Sequence, residues 1–401
     1  MIPSINIEDF SYNLPEERIA KYPLPRRDSS KLLLYKEGRC SDHIFSSIPS
    51  LLPEGSLMVF NDTKVVPARL FFKRASGAHI EIFCLEPVDP AEYNVAFATT
   101  GCCRWKCVIG NAKRCKPGET LTLAAGSGDL EGIDPTATLV SRDGQTGTVE
   151  FRWQGGVSFA AVLDMCGRIP IPPYLNRDTE SIDLARYQTA YARIRGSVAA
   201  PTAGLHFTED TLAAIRSAGI ETATVCLHVG AGTFLPVKSQ DVAQHVMHRE
   251  PFAVSKELLE RLARRDKPVV AVGTTSVRTL ESLYYAGVSC LENGSPSDVG
   301  QWDPYTREYP YSTQESLCAL VDYLERNALP ELVLGTRIII VPGFDFRIVD
   351  ALVTNFHQPQ STLLLLISAF VGGDWQTIYD HALGAGYRFL SYGDSSLLFR
   401  R

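Results

Sequence analysis

Three histidines stand where short apolar runs give way to small and polar residues. They are His206 in Ala200-Pro-Thr-Ala-Gly-Leu-His-Phe-Thr208, His228 in His228-Val-Gly-Ala-Gly-Thr-Phe234, and His357 in Asn355-Phe-His357. A fourth polar cluster, Asn61-Asp62-Thr63-Lys64, follows the apolar Leu57–Phe60. Imidazoles titrate near neutral pH, so each of the three could move a proton. A lone histidine beside apolar neighbours serves equally well as a hydrogen-bonded structural residue. Gly273-Thr-Thr-Ser276 joins a predicted strand to a predicted helix. The free N–H groups of such a helix start could hold a carboxylate, or the segment is a plain capped turn. Gly230-Ala-Gly232 has no third glycine and no helix after it, which rejects a dinucleotide fingerprint. His245-x-x-His248 with Glu250 has helical spacing and could bind metal with His228, but zinc prefers more convergent ligands. Cys102, Cys103, Cys107 and Cys115 offer a single pair at zinc-like spacing. Trp105, Cys107 and Ile109 read instead as one face of a strand, with Lys106 outward.

The elements that must carry these residues fall into two textures. From about Ala68 to Trp153 the chain is a series of short β-rich runs: Ala68–Lys73, His79–Leu85, Tyr93–Ala98, Trp105–Ile109, Thr120–Ala124, Thr136–Val140 and Gly147–Trp153. Turn residues separate nearly all of them, which predicts a small barrel or sandwich of about six strands. Elsewhere strands alternate with helices. Lys31–Tyr35, Ser56–Phe60, Glu221–Val229, Pro268–Gly273, Arg337–Val341 and Ala351–Asn355 read as strands. Pro15–Ala20, Phe159–Cys166, Glu209–Ala218, Lys256–Arg264 and Ser276–Tyr285 read as helices, and Thr362–Val371 as a buried strand or helix. This alternation predicts an α/β layer domain, interrupted by the β-rich part. The expected division is 1–67 with 156–401 as the discontinuous α/β domain and 68–155 as the insert.

The 401 residues are 45% apolar and 21% charged, an ordinary globular composition. The formal charge of −6 argues against a generically basic nucleic-acid binder. That charge is not spread evenly. The stretch Cys290–Glu331 holds eight acidic residues and two basic ones, so the rest of the chain is neutral. Ser312-Thr-Gln-Glu315 is a capping box before an amphipathic stripe, so the acidic stretch contains a helix. Gly101–Gly118 carries Arg104, Lys106, Lys113, Arg114 and Lys116 without any acid, a candidate phosphate-facing edge. No secretory leader or membrane-length apolar run is visible, and ten scattered cysteines suit a reducing, cytoplasmic setting.

Ordered motifs across nearly the whole chain carry a family resemblance. They include Leu14-Pro-Glu-Glu-Arg-Ile-Ala-Lys-Tyr-Pro23, Arg26-Arg-Asp-Ser-Ser-Lys-Leu32 and Val59-Phe-Asn-Asp-Thr-Lys-Val-Val-Pro-Ala-Arg69. They continue with Ile169-Pro-Ile-Pro-Pro-Tyr174, Arg186-Tyr-Gln-Thr189 and the His206 and His228 motifs, and end with Ala271-Val-Gly-Thr-Thr-Ser-Val-Arg-Thr-Leu-Glu-Ser282 and Asp350-Ala-Leu-Val-Thr-Asn-Phe-His357. The chain resembles the S-adenosylmethionine:tRNA ribosyltransferase-isomerases of queuosine biosynthesis. The resemblance implies a three-layer α/β domain with an inserted six-stranded β-barrel. It implies transfer and isomerisation of the ribosyl part of S-adenosylmethionine onto the 7-aminomethyl-7-deazaguanine base of tRNA. Epoxyqueuosine-tRNA, adenine and methionine are the products, and no metal or cofactor beyond the co-substrate is implied.

Under that chemistry His206 or His228 is the expected base, with Asp62 and His357 as partners in proton transfer or orientation. Thr274, Thr275, Ser276 and Arg278 are expected at the methionine carboxylate, Phe234 at the sulfonium, and Thr202, Thr233 and Asn355 elsewhere on the substrate. Arg26, Arg27, Arg104, Lys106, Lys113, Arg114 and Lys116 are expected on tRNA, which a monomer would bind. Three positions depart from the family pattern: Ala78 in Ser76-Gly-Ala-His79, Asp345, and Gln360 in Pro359-Gln-Ser-Thr362. Each replaces a position that is often basic. Two alternatives therefore stand beside the main expectation. One is a divergent paralogue that binds tRNA or S-adenosylmethionine without this chemistry, and the other is a transferase acting on a small-molecule base.

Overall fold

The computed structural model describes residues 2–124, 132–229, 239–264 and 266–400. Its strands are β1 (Lys31–Lys36), β2 (Arg39–Ile44), β3 (Leu57–Asn61), β4 (Thr63–Val65), β5 (Arg69–Lys73), β6 (His79–Asp89), β7 (Cys102–Ile109), β8 (Thr120–Leu123) and β9 (Thr136–Asp143). They continue as β10 (Thr146–Arg152), β11 (Ile194–Ser197), β12 (Glu221–Leu227), β13 (Glu250–Ser255), β14 (Val269–Val272), β15 (Glu331–Thr336), β16 (Ala351–Asn355) and β17 (Ser395–Phe399). The helices are α1 (Tyr93–Ala98), α2 (Phe159–Cys166), α3 (Ser181–Arg186), α4 (Glu209–Ser217), α5 (Lys256–Arg264), α6 (Thr274–Asn293), α7 (Asp303–Thr306), α8 (Thr313–Arg326), α9 (Thr362–Phe370) and α10 (Trp375–Gly384).

Nine strands form one sheet in the order β15-β13-β12-β3-β14-β16-β17-β1-β2. The middle four, β12, β3, β14 and β16, run parallel. Successive side chains of a strand point to opposite faces, and here both faces are covered. Leu57, Val59, Ala271 and Leu352 pack with α5, α6, α8 and α9 on one side. Met58, Phe60, Val270, Val272 and Val353 pack with Phe207, Leu212 and Ile215 on the other. This accounts for the unbroken apolar runs of the sequence and makes the domain three-layered. The strands β10-β7-β6-β5-β8-β9 close a six-stranded barrel, filled by Phe72, Ile82, Trp105, Cys107, Leu139 and Val149. The chain leaves β3 for the barrel and comes back to β12, directly beside β3.

Three predicted elements differ, and one left open between strand and helix is decided. Tyr93–Ala98 is a helix, because Tyr93 and Phe97, one turn apart, both pack on Trp105. Pro15–Ala20 shortens to a single tight turn over Glu16–Arg18. Arg337–Val341 joins no sheet strand among the described residues. Its N–H groups go instead to Thr336 Oγ1, the Gln301 carbonyl and the Tyr305 hydroxyl, while β15 ends at Thr336. Thr362–Phe370 is helical, with Ser361 Oγ accepting the Leu364 N–H as its cap.

The acidic stretch is tied into the core. Leu317, Leu320 and Leu324 of α8 are buried against α6 and α5. At Gly287 of α6 a Cβ would lie 2.2 Å from the Ser316 carbonyl oxygen, so glycine sets how closely the two helices approach. Glu315, Asp322 and Glu325 stay on the solvent side. Among the described residues no helix is long and apolar enough to cross a membrane.

Candidate functional site

Parallel strands end on the same side of a sheet, and the chain leaves β3 toward neighbours on both flanks. A crevice forms at such a switch point. Here it is a cavity of about 420 Å³, within the usual range for small-ligand sites. Val229 follows β12, Gly273–Thr275 follow β14, and Asn355, Phe356 and His357 close β16, all on its wall. Thr202 enters from the turn Thr202–His206, and His245, Met247 and His248 from the segment before β13.

One pole of the cavity presents N–H donors. Gly273 has φ +85°, a conformation that lets the chain turn abruptly from β14 into α6. Among the described residues no side chain caps this twenty-residue helix, which leaves the N–H groups of its first turn for a ligand. Arg278, one turn further on, is ion-paired with Glu250 and donates from Nε to the Ile338 carbonyl at 3.1 Å. Its Nη2 is buried and has no partner among the described residues. Thr274 and Thr275 line the cavity, whereas Ser276 turns inward and donates to the Val272 carbonyl at 2.7 Å.

The opposite wall presents an acceptor. Asn355 Nδ2 donates to the Leu390 carbonyl at 3.1 Å and lies 3.1 Å from His206 Nε2. The carbonyl fixes the amide's orientation and leaves Asn355 Oδ1 without a partner among the described residues. His206 must then accept at Nε2 and donate from Nδ1 to Ser30 Oγ, 2.8 Å away. Both its ring nitrogens are occupied and burial pushes its pKa down to about 4. His206 thus stands behind Asn355 rather than on the cavity wall.

The other expected residues separate. His357 lines the cavity, with Nε2 3.0 Å from Thr354 Oγ1, and burial lowers its pKa to about 3. His228 stacks on Tyr93 of the insert, with ring centroids 4.7 Å apart and planes 11° apart, and burial lowers its pKa to about 4. A Cβ at Gly196 would lie 2.4 Å from His228 Nδ1, so the ring is held between Tyr93 and a glycine. Asp62 is buried off the cavity; burial raises its pKa, and the Thr224 hydroxyl and Arg193 oppose the rise. Thr233 and Phe234 lie outside the described residues.

The structure also brings in residues that the sequence reading set aside. His245 and His248 line the cavity, and Glu250 joins them as the counter-ion of Arg278. The pKa of His245 is lowered by burial and then by His248. Among the described residues no three His, Cys, Asp or Glu side chains converge as metal ligands. The i, i+3 spacing of the two histidines was visible, but only the fold shows that they face a cavity.

A family model described as "Queuosine biosynthesis protein" matches residues 7–398. The chain belongs to that family. Its members with curated names include S-adenosylmethionine:tRNA ribosyltransferase-isomerases from Trichlorobacter lovleyi, 39% identical over 98% of this chain and 99% of the relative, and from Azoarcus sp., 39% identical over 99% and 98%. A solved S-adenosylmethionine tRNA ribosyltransferase from Thermotoga maritima is 29% identical, covering 98% of this chain and 100% of that one, with a TM-score of 0.47. The family is one of enzymes that modify tRNA in queuosine biosynthesis.

The seven basic residues expected at tRNA have unequal freedom. Lys113, Arg114 and Lys116 are exposed and form no ion pair among the described residues. Arg104 pairs across strands with Glu150 at 2.8 Å and Lys106 with Glu86 at 2.8 Å. Arg26 is largely exposed beside Asp28, whereas Arg27 is half-buried and bonded to backbone carbonyls. The family's departures sit at the surface: Asp345 pairs with Arg347 at 2.7 Å, and Gln360 occupies a turn at φ +55°.

Proposed function

We propose that the cavity binds S-adenosylmethionine and that the chain transfers and isomerises its ribosyl group onto the 7-aminomethyl-7-deazaguanine base of tRNA. The products are epoxyqueuosine-tRNA, adenine and methionine. The observation that carries this reading is the pairing, in one cavity, of a carboxylate pole with neutral proton acceptors. The open N–H groups at Thr274 and Thr275 and the free Nη2 of Arg278 would hold the methionine carboxylate. Asn355 Oδ1 would accept from an amino group, the exocyclic amine of adenine being one, and Thr202 would add a hydroxyl.

The sulfonium acidifies the C5′ hydrogens, and a neutral imidazole takes one of those protons. His245 suits this role best. It lines the cavity, its ring bonds no partner among the described residues, and its lowered pKa keeps it neutral at pH 7. His357 is the alternative on the same wall. Adenine leaves and is protonated, the deprotonated aminomethyl group attacks, and closure of the epoxide expels neutral methionine. His206 holds Asn355 in place, and His228 with Asp62 sits where the insert meets the sheet. The division of the chain at 68 and 155 belongs to the same proposal, with Lys113, Arg114 and Lys116 of the insert facing tRNA phosphates.

The test is to incubate the protein with S-adenosylmethionine and tRNA bearing the aminomethyl-deazaguanine base, then follow adenine and epoxyqueuosine by mass spectrometry. Both products are expected. Adenine release with the free base but not with tRNA would transfer the reading to a small-molecule substrate. Tight binding without adenine release would leave a binding protein.

A further inference from the structure

We propose that a notch on the far side of the Asn355–His206 wall holds a backbone phosphate of the tRNA, next to the nucleotide whose base enters the cavity. The proposal rests on the tRNA reading above and locates one phosphate within it, adding Arg186 to the Arg27 expected on tRNA. Arg27, Arg186, Arg388, Ser30, His206 and Ser391 line the notch, which has room, at about 20 Å³, for one oxygen-sized group.

The charge inside it is not balanced. Arg388 answers Asp394 at 2.9 Å. Among the described residues Arg27 and Arg186 have no carboxylate partner. Each uses its guanidinium on the other's segment: Arg27 donates to the carbonyls of Gln188, Ala185 and Leu205, and Arg186 to those of Leu24 and Pro25. Backbone carbonyls hold the two side chains in place but neutralise nothing. The two cations are close enough for Arg186 to add to burial in lowering the pKa of Arg27. Arg186 Nε is also buried without a partner. Two fixed, uncompensated guanidiniums beside a small opening match an oxyanion, and a phosphate supplies both the charge and the oxygen.

The position argues for the nucleic acid as the source. Ser391 lines both the notch and the cavity, and the His206–Asn355 hydrogen bond crosses the wall between them. In a nucleotide turned out of its stack, base and phosphate are joined by one sugar, so one can enter the cavity while the other stays at the rim.

The experiment measures binding of a fluorescently labelled anticodon stem-loop by anisotropy over a range of salt concentrations. Arg27→Gln and Arg186→Gln should each weaken binding about tenfold and reduce the salt slope by about one, while calorimetric affinity for S-adenosylmethionine stays unchanged. A second probe leaves the protein intact. A stem-loop with neutral methylphosphonate linkages flanking the target base should bind the parent protein correspondingly more weakly. Folded variants with parental RNA affinity, or a methylphosphonate stem-loop that binds normally, would overturn the proposal. So would inorganic phosphate binding in the notch without competing with RNA, which would make the site one for free phosphate. Loss of adenine release with RNA binding intact would instead count against the cavity reading.

Discussion

Replacing Arg278 by methionine removes the cavity's buried guanidinium and strands Glu250, itself buried, without its cation. Removing one member of a buried ion pair typically lowers stability by about 3–5 kcal/mol. The R278M variant should therefore unfold at much lower urea concentration than the parent. Adding Glu250→Gln takes away the stranded charge, and the double variant should regain most of that loss. Ligand binding should not recover with it. The free Nη2 of Arg278 is assigned to the methionine carboxylate, and a hydrogen bond to a charged group contributes about 1.5–3 kcal/mol. At about 1.4 kcal/mol per decade, R278M/E250Q should bind S-adenosylmethionine about 10- to 150-fold more weakly than the parent. Urea melts measure the first effect, and calorimetry with the KM for adenine release measures the second. A stable double variant whose S-adenosylmethionine affinity lies within about twofold of the parent would refute the assignment of the carboxylate pole.

His245→Ala should lower kcat about 10²- to 10⁴-fold, as loss of a general base does, while His206→Gln should mainly raise KM by releasing Asn355; single-turnover kinetics separate the two. The parent's rate should rise with pH through a His245 pKa below the ordinary imidazole value and then level off, because the base works unprotonated. Burial lowers the folded-state pKa of both His206 and His228 to about 4, so the unfolded chain binds more protons between that value and about 6.5. Stability present above pH 6.5 should drain away as pH falls toward 4, by about 3 kcal/mol for each ring, and urea melts of the parent and His206→Gln should diverge over that window. Glu281, fully buried on α6, accepts the N–H groups of Arg347, Ile348 and Val349 at 2.9, 3.1 and 2.9 Å. Glu281→Ala should lower stability by about 2–4 kcal/mol, because those buried donors lose their acceptor; a melt unchanged from the parent would contradict this.

Much of the fold was legible because its physics is local. The runs Leu57–Phe60 and Ala351–Val353 are apolar throughout, as strands covered on both faces must be, and each lies in a sheet strand. Trp105, Cys107 and Ile109 alternate with outward residues, as a barrel wall requires. Ser312 and Glu315 announced α8 through a capping box that the structure contains. Tyr93–Ala98 is read as a strand because a six-residue, mostly apolar run suits a strand face or one and a half helical turns equally, and contact with Trp105 decides between them. Arg337–Val341 was misread because its apolar side chains are buried without a neighbouring strand for its backbone.

By itself the sequence determined the family, the two textures of the chain and the polar clusters at strand ends, since each is written in contiguous residues or short spacings. It also showed that the whole net charge lies in one acidic stretch. Which histidine faces a ligand was decided only in three dimensions. His206, His228 and His357 occupy equivalent positions along the chain, yet one lies behind Asn355, one against Tyr93 and one on the cavity wall. The register of β12, β3, β14 and β16 and the return of the chain from the barrel set those destinations. The same packing carries His245 to the cavity and joins Arg278 to Glu250, 28 positions apart in the chain. A proton-transfer site depends on which side chains meet and what water they lose, and both are properties of tertiary packing.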